Sequence, residues 1–273
     1  MTRLSVTGQP VPDAVQYLQV RYAKRGRMRF ASHRDIARAV ERGVRKAGLP
    51  IAYSAGFTPH PKISYAGAAA TGVASEAEYL ELAFTSPRTP EDVRARLNAA
   101  LPDGIDVIGV AERGSELPLA RLEVSHWQVT LPGVPAAVAE AAIGEFLASS
   151  RVEVERLTKK GLRRMDARAA VISMELDRRA ATAQPDGCEI LRMVVRHTTP
   201  AVRPDDILVA LHSVAKNSVA VNSVAKSSGV AGLTPSAPPL ITRLAQWPLE
   251  GAAATAGPGT DIPASAADRG RET

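Results

Sequence analysis

The sequence is short of large side chains and of thiols. Aromatic residues make up only 4%, and there is one cysteine, Cys188. A single thiol excludes an internal disulfide, an iron–sulfur cluster held by this chain alone and a cysteine-built zinc site, and it fits a reducing compartment. No stretch approaches the ~20 apolar residues of a membrane span. The opening MTRLSVTGQPVPD lacks the apolar run of a signal peptide. GxGxxG, P-loop and GxSxG patterns are all missing, so the sequence marks of dinucleotide, nucleotide-phosphate and nucleophile-elbow sites are absent. No short metal-ligand spacing joins His33 and His60 to an acid. The expectation is a cytoplasmic protein with no membrane segment, no cofactor and no metal centre.

Hydrophobic residues make up 45% of the 273, much of that alanine and valine. Two ordinary domains fit this length, with cores of small and β-branched side chains. YLQVRYAK, Tyr17 to Lys24, alternates as a strand, turns at Arg25-Gly26 and continues through Arg27–Phe30, with Met28 and Phe30 facing the core. Ser32 is an N-cap for a helix from His33 to Lys46, with Asp35 in its first turn. Ile36, Val40, Val44 and Ala47 form its apolar stripe, and Gly48-Leu49-Pro50 ends it. A strand follows at Glu78–Phe84. A helix opens at Pro90 with Thr89 as cap, and a strand covers Ile105–Ala111. Gly114–Ala120 reads as a linker.

The order then restarts. Glu123–Leu131 reads as a strand, Ala136–Ala148 as a helix, Val152–Leu157 and Glu189–His197 as strands, and Pro204–Ser213 as a helix. Ala167–Leu176 fits strand or helix. The fold class expected is α+β: two small ferredoxin-like (split βαβ) sandwich domains with a flexible C-terminal tail. The first covers 15–113 and the second 121–213. The pentapeptides SVAKN, SVAVN and SVAKS match neither helical nor strand period, so 214–237 reads as a low-complexity insertion, extended or partly disordered. A packed tail strand is expected over 238–250, using Leu240, Leu244 and Trp247. The Gly/Ala/Pro composition of 251–273 reads as disordered.

The net charge is +6, and it is unevenly placed. Arg21 to Lys46 holds ten Lys or Arg against two acids. Arg34, Arg38, Arg42 and Arg45 recur at helical spacing, and Arg27 and Arg29 precede them. Arginine suits bidentate phosphate contacts, and a stripe on a folded element gives a directional positive surface. A second run, RLTKKGLRRMDAR, carries Lys159, Lys160 and Arg163 around a glycine. Either run alone reads equally as a solvated face or a charged turn. Two runs together strengthen the case for a polyanion. His60 lies in TPHPK, held extended by its flanking prolines and followed by Lys62. Its near-neutral titration suits acid–base work, as does that of His33, but both equally suit loop hydrogen bonding. His126, His197 and His212 fall in regular elements and read as structural or exposed.

FASHRDIARAVERGVRKAGLPIAYSAGFTPHPKISYA, Phe30 to Ala66, resembles the opening of an uncharacterised bacterial family, the radical-SAM-associated (radical-SAM-linked) domain proteins. The match runs through Phe30, Ser32, His33, Asp35, Glu41, Arg42, Gly48-Leu49-Pro50 and Pro59-His60-Pro61. Gly43 stands where alanine is usual. Glu78, Thr158–Gly161, Arg203–Asp205 and Thr242-Arg243 extend the likeness to about Leu249. The resemblance implies work beside a radical-SAM enzyme on a separate polypeptide, without assigning any catalytic residue.

The function expected is an accessory protein that binds RNA, tRNA or rRNA, through a basic surface. Arg27, Arg29, Arg34, Arg38, Lys62, Lys159, Lys160 and Arg163 are its nucleic-acid-binding residues. Tyr22, Tyr53, Phe57 and Tyr65 are the nearby aromatics for stacking. The alternatives are an enzyme acting on RNA or a phosphorylated substrate with His33 and His60 as catalytic residues, or a protein-interaction scaffold.

Overall fold

The computed structural model describes residues 12–55, 57–114, 119–158, 161–182, 187–228 and 232–249. Lys159 and Lys160, most of the expected linker and the tail from Gly251 lie outside them. The chain is a mixed α/β protein in two compact units. The first takes the described residues up to Leu122 together with Leu240–Leu244, and the second takes the others.

The first unit begins with β1 (Gln16–Lys24), a 3-10 turn (Gly26–Phe30) and α1 (His33–Lys46). Then come β2 (Ile63–Ala66), β3 (Ala74–Phe84), α2 (Pro90–Ala100) and β4 (Ile105–Glu112). β1 lies between β3 and β4, antiparallel to both, and β2 pairs antiparallel with β3. The first half of β10 (Leu240–Trp247) runs parallel to β3, pairing Thr242 with Ala74 and Arg243 with Ser75. The sheet is therefore mixed.

α1 starts where the sequence signals it. The Ser32 hydroxyl accepts the Asp35 N–H at 3.2 Å and the Asp35 carboxylate accepts the Ser32 N–H at 3.3 Å, a reciprocal cap. Ile36, Val40 and Val44 are buried and pack with Leu18, Val20, Leu82 and Phe84. Burying each contributes roughly 1.5–3 kcal/mol. Gly43 is also buried: a Cβ there would stand 2.7 Å from Leu101 Cδ2, so an alanine at this position requires that leucine to move.

The second unit contains β5 (Val124–Pro132), α3 (Ala136–Ala148), β6 (Glu153–Thr158), β7 (Gly161–Asp166) and α4 (Ala167–Ala170). β8 (Val171–Leu176), α5 (Arg178–Ala181), β9 (Cys188–Arg196), α6 (Pro204–Asn217) and α7 (Val219–Ser227) follow. Its sheet has β9 between β5 and β8, with the end of β10 beside β5, while β6 and β7 form a separate hairpin. The ambiguous Ala167–Leu176 is both things in turn, a short helix and then a strand. Asp166 makes the switch by accepting the N–H groups of Arg168 and Ala169.

The pentapeptide stretch is helical, contrary to the extended segment expected. α6 runs on to Asn217, and α7 begins after Ser218, whose hydroxyl accepts the Val221 N–H at 3.3 Å. A five-residue period drifts off a straight helix. The 86° bend at Ser218 resets the phase, so Ala215, Val221 and Ala225 are all buried. No single helix among the described residues is long and apolar enough to cross a membrane.

Candidate nucleic-acid interface

The basic stretch after β1 is not the strand that alternation implies. Gly26 takes φ +51°, and Arg25–Ala31 closes through Met28 N–H to Arg25 O and Ala31 N–H to Met28 O, both at 3.0 Å. A three-residue repeat replaces a two-residue one. Met28 and Ala31 pack on the core, whereas Phe30, expected inside, is 61% exposed. Arg27 is exposed and has no acidic partner among the described residues. Arg29 lays its guanidinium 4.6 Å over the Phe30 ring, and its Nε is enclosed without a hydrogen-bond partner among the described residues. Arg25, by contrast, is committed to Glu76 and, at 3.0 Å, to Asp106.

Gly104 holds this turn in place. Its carbonyl accepts the Arg25 N–H at 2.8 Å, and its φ is +86°. A Cβ there would stand 2.7 Å from the Arg25 carbonyl oxygen and 3.1 Å from Met28 Cγ. Gly104→Ala is expected to cost on the order of 2 kcal/mol, from left-handed backbone strain plus a backbone clash. Urea denaturation checks this, and an unchanged midpoint would contradict the packing described.

α1 presents Arg34, Arg38, Arg42 and Arg45 to solvent. Arg38 lies 4.0 Å from Asp35 and Arg45 3.7 Å from Glu41, exposed pairs of little energetic weight. Arg34 and Arg42 form no salt bridge among the described residues, although the charge of Arg34 helps hold the Asp35 pKa down. Lys62 is half-buried, and its N–H donates to Ala52 O at 2.8 Å. In the second unit Arg163 is exposed on β7, in register with Arg156. Arg156 is neutralised by Asp206.

The two candidate histidines differ in setting. The exposed His33 ring meets Tyr65 edge-on, with centroids 5.1 Å apart. The Tyr65 hydroxyl is enclosed without a partner among the described residues, and burial, then the nearby Glu41 carboxylate, push its pKa upward. His60 is exposed. Its main chain clasps Ser54, giving its N–H to Oγ at 3.0 Å and accepting the Ser54 N–H at 2.9 Å. Among the described residues no hydrogen bond or ring contact joins the two imidazoles. Of the stacking candidates, Tyr22 is buried and Phe57 is 89% exposed.

A charge cluster lies inside the first unit that sequence reasoning missed. Lys24 and Glu78 are 2% exposed and Arg243 3%. Arg243 donates to Glu78 and, at 3.4 Å, to Ser75 Oγ. Lys24 Nζ donates to the carbonyls of Ala69 and Ala70, and Glu78 accepts the Ala69 N–H at 3.1 Å. Tyr22 pairs with Glu78 but Lys24 with Ser75, so β3 carries one extra residue between them. That bulge turns Ser75 and Glu78 to the same side. The available signal was in β10, where period-two spacing puts Arg243 in phase with the buried Ile241 and Ala245. Burial lowers the Lys24 pKa, and Glu78 partly offsets the shift.

A family model described as an uncharacterized protein conserved in bacteria (DUF2344) matches residues 17–204. The chain belongs to this family. The match takes in the whole basic turn, α1 and the β6–β7 hairpin of this DUF2344 member, but not Arg243. No curated protein matches it. Among solved structures it is similar to a chain of a Cbf5-Nop10-Gar1 complex, with 11% identity and a TM-score of 0.42. That similarity covers 90% of this chain and 53% of the other, so this chain spans about half the length of that one.

Proposed function

We propose that this DUF2344 protein binds RNA through the basic face of its first unit and serves as accessory to a separate radical-SAM enzyme. The observation that carries the RNA part is α1. It is capped and core-packed, and it carries Arg34 and Arg42, which form no salt bridge among the described residues. Arg27 and Arg29 on the adjoining turn extend the face, and Arg38 is held only by an exposed contact. Lys62 and, in the second unit, Arg163 with Lys159 and Lys160 belong to the same reading. Arginines on rigid elements lose little freedom on meeting phosphate, which favours a nucleic acid over diffuse attraction.

The radical-SAM partner rests on the sequence resemblance through Phe30–Ala66. A cytoplasmic setting rests on the lone thiol of Cys188. His33 and His60 shape the rim in this reading, supported by the Tyr65 contact and the Ser54 clasp. The finer fold, two split βαβ units, is supported by strand order. β4-β1-β3-β2 in the first unit has its counterpart in the run of β5, β9 and β8, with β6–β7 as an inserted hairpin.

The test is fluorescence anisotropy with a mixed tRNA pool over a salt series. Arg34→Ala with Arg42→Ala is expected to weaken binding roughly ten-fold. It should also reduce the slope of log affinity against log salt by about 1.5, from two lost phosphate contacts. Unchanged affinity and slope in a folded double variant would reject the assignment and favour a protein-binding scaffold.

A further inference from the structure

We propose that the groove beside the 3-10 turn is a site for one unpaired nucleotide, with the base stacked on Phe30 and the phosphate held by Arg27 and Arg29. The inference rests on the RNA reading above and names the contact that selects single-stranded over paired RNA.

Three observations meet at this place. Phe30 exposes 61% of its surface although its neighbours Met28 and Ala31 reach the core. One exposed phenylalanine is unremarkable alone. Here one ring face is covered by the Arg29 guanidinium at 4.6 Å, which leaves a plane already polarised by a cation. The Arg29 Nε is enclosed and has no hydrogen-bond partner among the described residues, a donor whose desolvation none of them offsets. Beside both lies a groove of about 490 Å³ lined by Arg25, Arg27, Arg29, Phe30, Glu76 and Thr242. That volume falls within the range of small-molecule clefts and suits one nucleotide.

The division of labour follows from the charges. Arg25, although half-exposed, has its charge offset by Glu76 and Asp106. Arg27 has no acid partner among the described residues, so it and Arg29 are the phosphate ligands. Thr242 lies on the wall of the groove, while the Glu76 carboxylate is already engaged by Arg25. A base inside a duplex is stacked on both faces and cannot reach Phe30, so the ligand is a single strand or a loop. Such a platform tolerates any base, because each base has a π face.

The full chain is measured against a fluorescent ten-nucleotide single-stranded RNA and a duplex of the same sequence. Phe30→Ala is expected to weaken single-strand binding roughly 5- to 100-fold and to leave duplex binding within two-fold. Phe30→Trp should retain or tighten it. Because Phe30 is exposed, both variants should keep the wild-type circular dichroism and melting curve. Equal weakening on both RNAs, failure of tryptophan to retain binding, or no change in Phe30→Ala each overturns the site. If Arg34→Ala with Arg42→Ala weakens both RNAs while Phe30→Ala does not, this inference falls and the RNA reading stands. If none of the proteins binds either RNA, both fall.

Discussion

Glu78→Gln is expected to destabilise the first unit by roughly 3–5 kcal/mol, and Arg243→Met by distinctly less. Glutamine keeps an oxygen for the Ala69 N–H, so the change isolates charge. The buried group contains two cations, Lys24 and Arg243, and one carboxylate, Glu78. Removing the carboxylate takes away the negative charge that Arg243 and Lys24 share in this cluster. Removing Arg243 leaves one of each sign. A buried charge without its counter-ion carries its desolvation cost alone, and that cost exceeds any surface pair. Tryptophan reports only on the second unit, because Trp127 lies in β5 and Trp247 at the end of β10. Amide exchange of β1 and β3 is therefore the measurement. Equal losses in both variants would contradict the charge count. Lys24 adds a signed pH dependence. Its pKa in the fold is below the ordinary 10.5, so between the two values the unfolded chain holds more protons and stability rises with pH. Loss of Glu78 lowers that pKa further, so alkaline buffer should partly restore Glu78→Gln.

Acidification from pH 7 to 4 is expected to remove about 3 kcal/mol from the second unit through His126 alone. This half-buried imidazole on β5 packs edge-on to Trp247 with centroids 6.2 Å apart. Burial first, and then the Arg192 guanidinium, push its pKa down to about 4, while Asp177 acts weakly the other way. The unfolded chain takes up its proton near 6.5, and the folded one not until about 4. Between these values the unfolded state binds more protons, so stability is full above pH 6.5 and falls as pH drops towards 4. Urea titrations followed by tryptophan fluorescence at pH 7, 5.5 and 4 give the profile. His126→Gln should flatten it relative to the native chain. Parallel profiles for the two proteins would mean that the folded ring takes up its proton as readily as the unfolded one and would contradict the downward shift.

Much of the local structure was legible because it depends on neighbours in sequence. Ser32 with Asp35, Thr89 with Pro90, and Gly48-Leu49-Pro50 act within a few residues, and α1 and α2 begin where these signals stand. Phe30 was misread for a physical reason. Alternation assumes that β1 continues, but the positive φ of Gly26 and the close approach of Gly104 end the strand and start a three-residue repeat. The pentapeptides were misread because their period fails on one straight helix, while the chain uses two with a bend between them. Among the proposed site residues, the exposure of Arg34 and Arg38 could be read from helical spacing. The pairing of Arg25 with Glu76 and Asp106 could not, since those acids are distant in sequence.

By itself the sequence determined the α1 cap, its apolar stripe, its outward arginines and the excess of positive charge in the first unit. These follow from periodicity and from hydrogen bonds that close within a turn. Only the tertiary structure decided that Phe30 faces solvent beside an Arg29 nitrogen with no partner among the described residues, and that Lys24, Glu78 and Arg243 are buried together. Arg243 lies 165 residues beyond Glu78. Long-range strand pairing and a one-residue bulge bring them together, and neither leaves a mark in the local pattern of side chains.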